Sequence, residues 1–289
     1  MSQSSSSMPL WTRVPPARFP DRLNTTGRQA DHQVHCSRVP SVPQSRQVPT
    51  PSKNQVNKAG DALRSFFDYV RTRPDPIADY PTERLAAASA ALDVLFAWRS
   101  AHARPLQVAS MGLRSRVQTE GCRVEVSQRL KRVPTIIDKL HRQPKMALAR
   151  MADIGGCRAV LDSIDEVRRV EKRLCKGRPP KTYHDYIAEP KESGYRGVHV
   201  ISEYRGRLIE VQLRTRTMHE WAYMVEKVTT QIGHDVKSGR GPAKVHDWFQ
   251  AVSEAMALEE QGLTVDGTLA KRIVELRSEA EPYLRGGRS

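Results

Sequence analysis

The chain has 289 residues and a formal net charge of +15, with 47 Lys and Arg against 32 Asp and Glu. That length suits one domain with extensions, and the basic excess suits phosphate-rich partners, either nucleotides or RNA. No run approaches the ~18 apolar residues needed to span a bilayer. None of the four cysteines (Cys36, Cys122, Cys157, Cys175) forms a Cys-x-x-Cys pair, which argues against a zinc or redox motif and for free thiols in a reducing cytoplasm.

Residues 1–57 are rich in Ser, Pro, Gln and Arg with little apolar period, the composition of a disordered leader. Met1-Ser-Gln-Ser-Ser-Ser-Ser lacks the charged start and apolar stretch of a signal peptide. His32, His35 and Cys36 cluster without a second ligand group. Beyond the leader, Leu63, Phe66, Phe67 and Val70 fall at helical spacing, as do Leu85, Ala88, Leu92, Leu95 and Phe96; both stripes read as packing surfaces. Strands are expected near 123–128, 157–161, 183–187, 198–203 and 207–215, and helices near 134–142, 164–176 and 217–231. Two more helices are expected around Val245–Glu259 and Leu269–Ala280. The result is an α/β (α+β) domain over 58–242, a mixed sheet of about five strands flanked by helices, followed by a helical extension over 243–289.

The last two strands carry the densest chemistry. From Arg207 to Thr215, Ile209, Val211 and Leu213 alternate with Glu210, Gln212 and Arg214, so the apolar trio faces a core and the polar trio shares the other face. A two-residue turn at Arg205-Gly206 sets His199 opposite Gln212 and Ile201 opposite Glu210, on one face with the acid. Taken alone, such a hairpin is more often only a polar face that meets water. Upstream segments add to it. Arg129-Leu-Lys131 and Thr135-Ile-Ile-Asp-Lys139 cluster cations around a helix start at Pro134. Asp153-Ile-Gly155-Gly156-Cys-Arg158 puts an acid before two glycines and an arginine into an apolar strand. Two acids suit a divalent metal, and several cations suit phosphates. No Gly-x-x-x-x-Gly-Lys-[Ser/Thr] occurs, so this is not a P-loop protein.

In this order the motifs resemble the synthetase domain of the RelA/SpoT alarmone synthetases, the GTP/GDP pyrophosphokinases. The matching pieces are Arg129-x-Lys131-x-x-x-Thr135-Ile-x-x-Lys139, Asp153-x-x-Gly156-x-Arg158, and Asp185-Tyr-Ile-x-x-Pro190-Lys191-x-x-Gly194-Tyr195-x-x-x-His199. Glu210-x-Gln212-x-Arg214-Thr215 follows, leading to His219-x-Trp221-Ala222. The resemblance covers roughly residues 105–240. Without the His-Asp and Glu-Asp pairs of a hydrolase half, it is to the small, single-domain synthetases, with their nucleotidyltransferase-like fold.

The resemblance implies transfer of pyrophosphate from ATP to the 3′-hydroxyl of GDP or GTP, with Mg²⁺ as cofactor. Asp153 is the implied metal ligand, and Glu210 a second ligand or a base, with Gln212 beside it as a catalytic group. Arg129 and Arg158 match positions that stack on adenine, and Lys131 and Lys139 match phosphate-binding positions, with Thr135 in the same ATP site. Tyr195 matches the tyrosine that stacks on the acceptor guanine, in a pocket shared with Lys191, His199 and Arg214. Gly197 departs from the pattern, where serine is common, and so do Val225-Glu226-Lys227 and the segment after Gly233. These departures leave the acceptor open: a toxin-like member making adenosine alarmones or modifying tRNA 3′ ends fits too, and so does a non-catalytic nucleotide- or RNA-binding module. Small members often assemble through terminal helices, so a homo-oligomer is expected as an alternative to a monomer with a helical cap.

Overall fold

The computed structural model describes residues 50–73, 80–123, 125–232, 236 and 241–284. The His32, His35 and Cys36 group, most of the expected leader, and most of 233–240 lie outside the described residues.

The first helix, α1 (Lys53–Thr72), starts at a capping box. The Ser52 hydroxyl accepts from the Gln55 amide (3.3 Å), and Gln55 Oε1 accepts from the Ser52 amide (2.9 Å). Residues 53–57, assigned to the leader from composition, are therefore helical. Next comes α2 (Thr82–Ser100), which buries Ala88, Ala91, Leu95 and Trp98. That stripe runs at i, i+3, i+7, i+10 and leaves Phe96, expected on a packing surface, 49% exposed. A third helix, α3 (Ala103–Thr119), is absent from the sequence reading. Its buried residues Leu106, Ala109, Leu113 and Val117 keep helical spacing, but Pro105 and Gly112 and interleaved Arg, Ser and Gln dilute the pattern.

The sheet follows: β1 (Glu125–Leu130), β2 (Gly155–Leu161), β3 (Thr182–Asp185), β4 (Val198–Tyr204) and β5 (Arg207–Thr215). Their spatial order is β1-β2-β5-β4-β3, with β2 and β5 parallel and every other pair antiparallel, a mixed five-stranded sheet as expected. The β4–β5 turn is the two-residue type. Arg205 and Gly206 have φ of 48° and 76°, the doubly positive geometry that matches strand twist. His199 consequently pairs with Gln212 and Ile201 with Glu210. The third strand is shorter than expected and stops at Asp185. There the Asp185 carboxylate accepts from the amides of Ile187 (3.0 Å) and Ala188 (3.2 Å), which turns the chain.

Side chains alternate across the sheet. Cys157, Ala159 and Leu161 of β2, Val198 and Val200 of β4, and Ile209, Val211 and Leu213 of β5 point to one face. They pack there with α3 and with Val167, Val170 and Leu174 of α5 (Ile164–Gly177). Burial pushes the Cys157 thiol up to about 12, as befits an inert core cysteine. A second core joins α1, α2 and α4 (Val133–Arg142) with the turn at Leu148–Arg150. The C-terminal side holds α6 (Arg216–Ile232), α7 (Ala243–Glu260) and α8 (Gly267–Leu284), close to the expected spans. Among the described residues no helix is long and apolar enough to cross a membrane.

Candidate active site

The other face of the sheet holds the polar residues. Strand register aligns Ser127, Arg158, Gln212, His199 and His184 in one row across all five strands. The adjacent row runs from Arg129 through Gly156 to Glu210. Having no side chain, Gly156 leaves an opening in the sheet surface between Arg129 and the carboxylate of Glu210.

Two acids anchor this face, each already ionised. Asp153 stands in the turn before β2. Its carboxylate meets Lys131 Nζ at 3.1 Å and Lys139 Nζ at 2.8 Å, so the residue just past β1 and helix α4 both reach it. Burial pushes the Asp153 carboxyl upward, but Lys131 and Lys139 together outweigh it and hold it below the usual carboxylate range. Burial also opposes ionisation of Glu210, yet hydrogen bonds from His199 and Gln212 and the charge of Lys139 bring it down to about 2. The like charge of Glu210 pushes the Asp153 carboxyl upward, so the two acids share one electrostatic site.

Behind Glu210 lies a closed ring of hydrogen bonds. Arg214 Nε donates to the Tyr195 hydroxyl (3.1 Å), and that hydroxyl lies 2.5 Å from His199 Nε2. His199 Nδ1 lies 2.9 Å from Glu210 Oε1. Gln212 Nε2 donates to Glu210 Oε2 (2.6 Å), and Arg214 Nη2 donates to Gln212 Oε1 (2.8 Å), which closes the ring. Burial pushes the His199 ring below its ordinary range, so it is neutral near pH 7. A neutral ring protonated on Nδ1 satisfies both contacts: it donates to Glu210 and accepts from Tyr195. Each member fixes the next, and Glu210 is held with its negative charge outward to the cations.

Those cations outnumber the acids. Arg129, Lys131, Lys139, Arg158, Lys191 and Arg214 stand against Asp153 and Glu210. Burial, then the proximity of Arg214 and Arg129, depresses the Arg158 guanidinium, and its Nε has no hydrogen-bond partner. Burial depresses Lys191 as well, and Lys139 and Arg214 add to this against the pull of Glu210. Cations crowded enough to lower one another's affinity for protons form a site for a polyanion.

The structure brings together eleven of the twelve residues expected here: Arg129, Lys131, Lys139, Asp153, Arg158, Lys191, Tyr195, His199, Glu210, Gln212 and Arg214. Thr135 stands apart. The Thr135 hydroxyl donates to the Arg132 carbonyl (2.7 Å) and so secures the start of α4. Tyr195 is 1% exposed. Tyr186, His199 and Trp221 surround its ring, with Arg214 4.9 Å and Lys191 5.4 Å from its centroid. This structure leaves no ring face of Tyr195 open to a base. Gly197 explains part of the arrangement: at φ 148° a Cβ there would come within 3.2 Å of Arg214 Cγ and 3.3 Å of the Tyr195 hydroxyl. A serine would crowd the ring just described. Two further residues join the site. Tyr186 lies with its ring centroid 4.4 Å from Lys191 Nζ and stacks with His184. His219 on α6 feels the charges of Arg158 and Arg214, and its Nδ1 is buried without a partner. The Asp-Tyr-Ile motif signalled the first, and helical position alone left the second undecided.

The motif order resembles one family, and comparison with known proteins agrees. Residues 128–229 match the family described as "Region found in RelA / SpoT proteins". The GTP pyrophosphokinase YjbM of Bacillus subtilis is 32% identical over 155 residues, which span 49% of this chain and 71% of that protein. The chain belongs to the RelA/SpoT family, as a small synthetase-domain protein. The GTP pyrophosphokinase of Escherichia coli K12 is 29% identical over 116 residues, 37% of this chain but only 15% of that protein. The small alarmone synthetase 1 of Bacillus subtilis, solved with its product pppGpp, superposes with a TM-score of 0.43 at 28% identity, covering 61% of this chain and 90% of that one.

Proposed function

We propose that the chain is an ATP-dependent pyrophosphokinase that transfers the β- and γ-phosphates of ATP to the 3′-hydroxyl of GDP or GTP. The observation that carries this reading is the pair Asp153 and Glu210, both ionised, on a sheet face otherwise lined by cations. The likeness to YjbM, a GTP pyrophosphokinase matched over 71% of its length, supports it.

The chemistry follows from the balance of bonds. The 3′-oxygen attacks the β-phosphorus, the bond from that phosphorus to the bridging α-oxygen breaks, AMP leaves, and the hydroxyl proton is released. Such transfers pass through a loose transition state in which positioning and charge stabilisation count most. Lys131, Lys139, Arg129 and Arg158 would hold the triphosphate. Asp153 and Glu210 fit a Mg²⁺ ion: both are hard oxygen donors, and this ion is commonly held by one or two carboxylates plus substrate phosphates. When bound, it would neutralise charge on the phosphate oxygens. Held ionised by the groups around it, Glu210 would act as a metal ligand or as an acceptor that aligns the attacking hydroxyl, and the His199–Tyr195–Arg214 ring keeps it oriented.

The test is direct. Purified protein is incubated with labelled ATP and Mg²⁺, together with GDP, GTP, AMP or tRNA in separate reactions. Label transferred to GDP or GTP with equimolar AMP release is the expected result. Transfer to AMP or to tRNA 3′ ends would assign a different acceptor, and no transfer in any reaction would refute the enzyme reading.

A further inference from the structure

The loop 191–197 carries Lys191 and Tyr195 into the site, yet its backbone is held from outside the synthetase sheet. Helix α7 holds it at three points. Gln250 Nε2 donates to the Glu192 carbonyl (2.7 Å), and Ser253 Oγ donates to the Gly194 carbonyl (2.5 Å). At the helix's last residue, the Glu260 carboxylate meets Arg196 Nη1 at 2.5 Å, with side-chain exposures of 9% and 6%. The same carboxylate also accepts the Thr215 hydroxyl at the end of β5, and Thr215 Oγ1 in turn accepts the Met218 amide that opens α6. The fit is close. Gly194 has φ 84°, and a Cβ there would lie 3.0 Å from Ser253 Cβ and 3.3 Å from Gln250 Cα. Only glycine adopts that backbone readily and still lets the loop rest on the helix.

We infer that α7 is a clamp that sets the order of the acceptor loop, with Glu260 and Gln250 as positioning residues for the acceptor nucleotide. A buried ion pair contributes little net stability against an apolar substitute, but breaking it frees an uncompensated charge, so it defines one loop position sharply. Residues 191–197 form no helix or strand of their own, so beside the buried ring of Tyr195 the contacts with α7 bear on how often the loop occupies the seated position. If binding needs that position, apparent acceptor affinity scales with its population. None of the donor residues Arg129 (β1), Lys131 (just past β1), Lys139 (α4) and Arg158 (β2) is among those through which α7 grips the loop. The clamp therefore acts on one substrate and not the other. A factor that shifts the end of α7 would tune acceptor use without touching the chemical groups.

This inference rests on the transferase reading above, and two independent readouts separate the two. The first is amide hydrogen exchange of residues 191–197 in the full-length protein without nucleotide. The second is steady-state kinetics with each substrate varied. Glu260→Gln removes the charge at constant size. If it lowers the seated population to about a tenth, acceptor KM rises roughly tenfold, with kcat and ATP KM within about twofold. Loop amides should exchange faster while those of β2 and β5 do not. Gln250→Ala, which trims an exposed side chain and cannot undermine the core, should shift the same readouts in the same direction by a smaller factor. The Arg196→Gln/Glu260→Gln double variant should be no worse than the worse single variant, as expected of residues acting as a pair. Unchanged loop exchange in both Glu260→Gln and Gln250→Ala would overturn the clamp. So would an equal rise in KM for both substrates with a matching loss of kcat, which marks general damage. A wild-type protein that transfers nothing would refute the reaction, and the exchange data would still decide the clamp.

Discussion

Glu210→Gln separates a working carboxylate from a solvated strand residue. The substitution keeps size and removes charge. In the structure Glu210 accepts from two fixed donors, His199 Nδ1 (2.9 Å) and Gln212 Nε2 (2.6 Å). A glutamine has one acceptor oxygen and one amine group, so one donor would face another donor. The unmet bond costs roughly 1–3 kcal/mol of stability. The lost charge costs more in catalysis, because a metal ligand or positioned acceptor is worth about 10²-fold or more. The prediction is a folded protein, with a modestly lowered urea midpoint, whose turnover falls at least 10²-fold at saturating ATP and acceptor. Val211→Asp provides the contrast one residue along. Val211 is fully buried in the sheet core, and a carboxylate there should unfold the chain. Circular dichroism and label transfer on both variants complete the test. A Glu210→Gln protein with turnover within threefold of wild type would remove Glu210 from the mechanism.

Asp153→Asn should reduce transfer by roughly 10³-fold, if a bound metal supplies about 4 kcal/mol of transition-state stabilisation, while the melting temperature changes little, since Lys131 and Lys139 keep some access to water; near wild-type turnover in Mg²⁺ would exclude the residue as a ligand. Tyr195→Phe keeps the ring but removes the hydroxyl between Arg214 and His199, and should lower kcat and cost roughly 1–3 kcal/mol of stability. If Tyr195 acts only by stacking on a base, that variant will be indistinguishable from wild type and only Tyr195→Ala will raise acceptor KM. Stability should fall on acidification. Burial holds His102 at about 4 against an ordinary 6.5, so the unfolded chain binds the extra proton as pH drops between those values. The shift corresponds to about 3 kcal/mol, present above pH 6.5 and lost by pH 4. Urea titrations at pH 7 and pH 4 measure it, and His102→Leu should flatten the dependence.

Much of this protein is legible in its residues because strand period is short and strict. Alternation in Arg207–Thr215, with the glycine turn at 205–206, determined which side chains of β4 and β5 share the site face and which enter the core. The Asp153–Arg158 and Arg129–Lys139 segments, which alone read as a turn and as surface charge, announced acid and cation chemistry only in combination with the hairpin. Helix α3 escaped notice because a weakly amphipathic helix is specified by the surface it covers, which sequence does not display. Three matters belonged to tertiary structure alone. The order β1-β2-β5-β4-β3, with β2 beside β5, brings Gly156 next to Glu210 across more than fifty residues of chain. The hydrogen-bond ring that buries Tyr195 depends on a side-chain packing that spacing cannot encode. The grip of α7 on the 191–197 loop joins Glu260 to Arg196 and Ser253 to Gly194, contacts set by how separate elements stack, and stacking is decided by the whole buried surface at once.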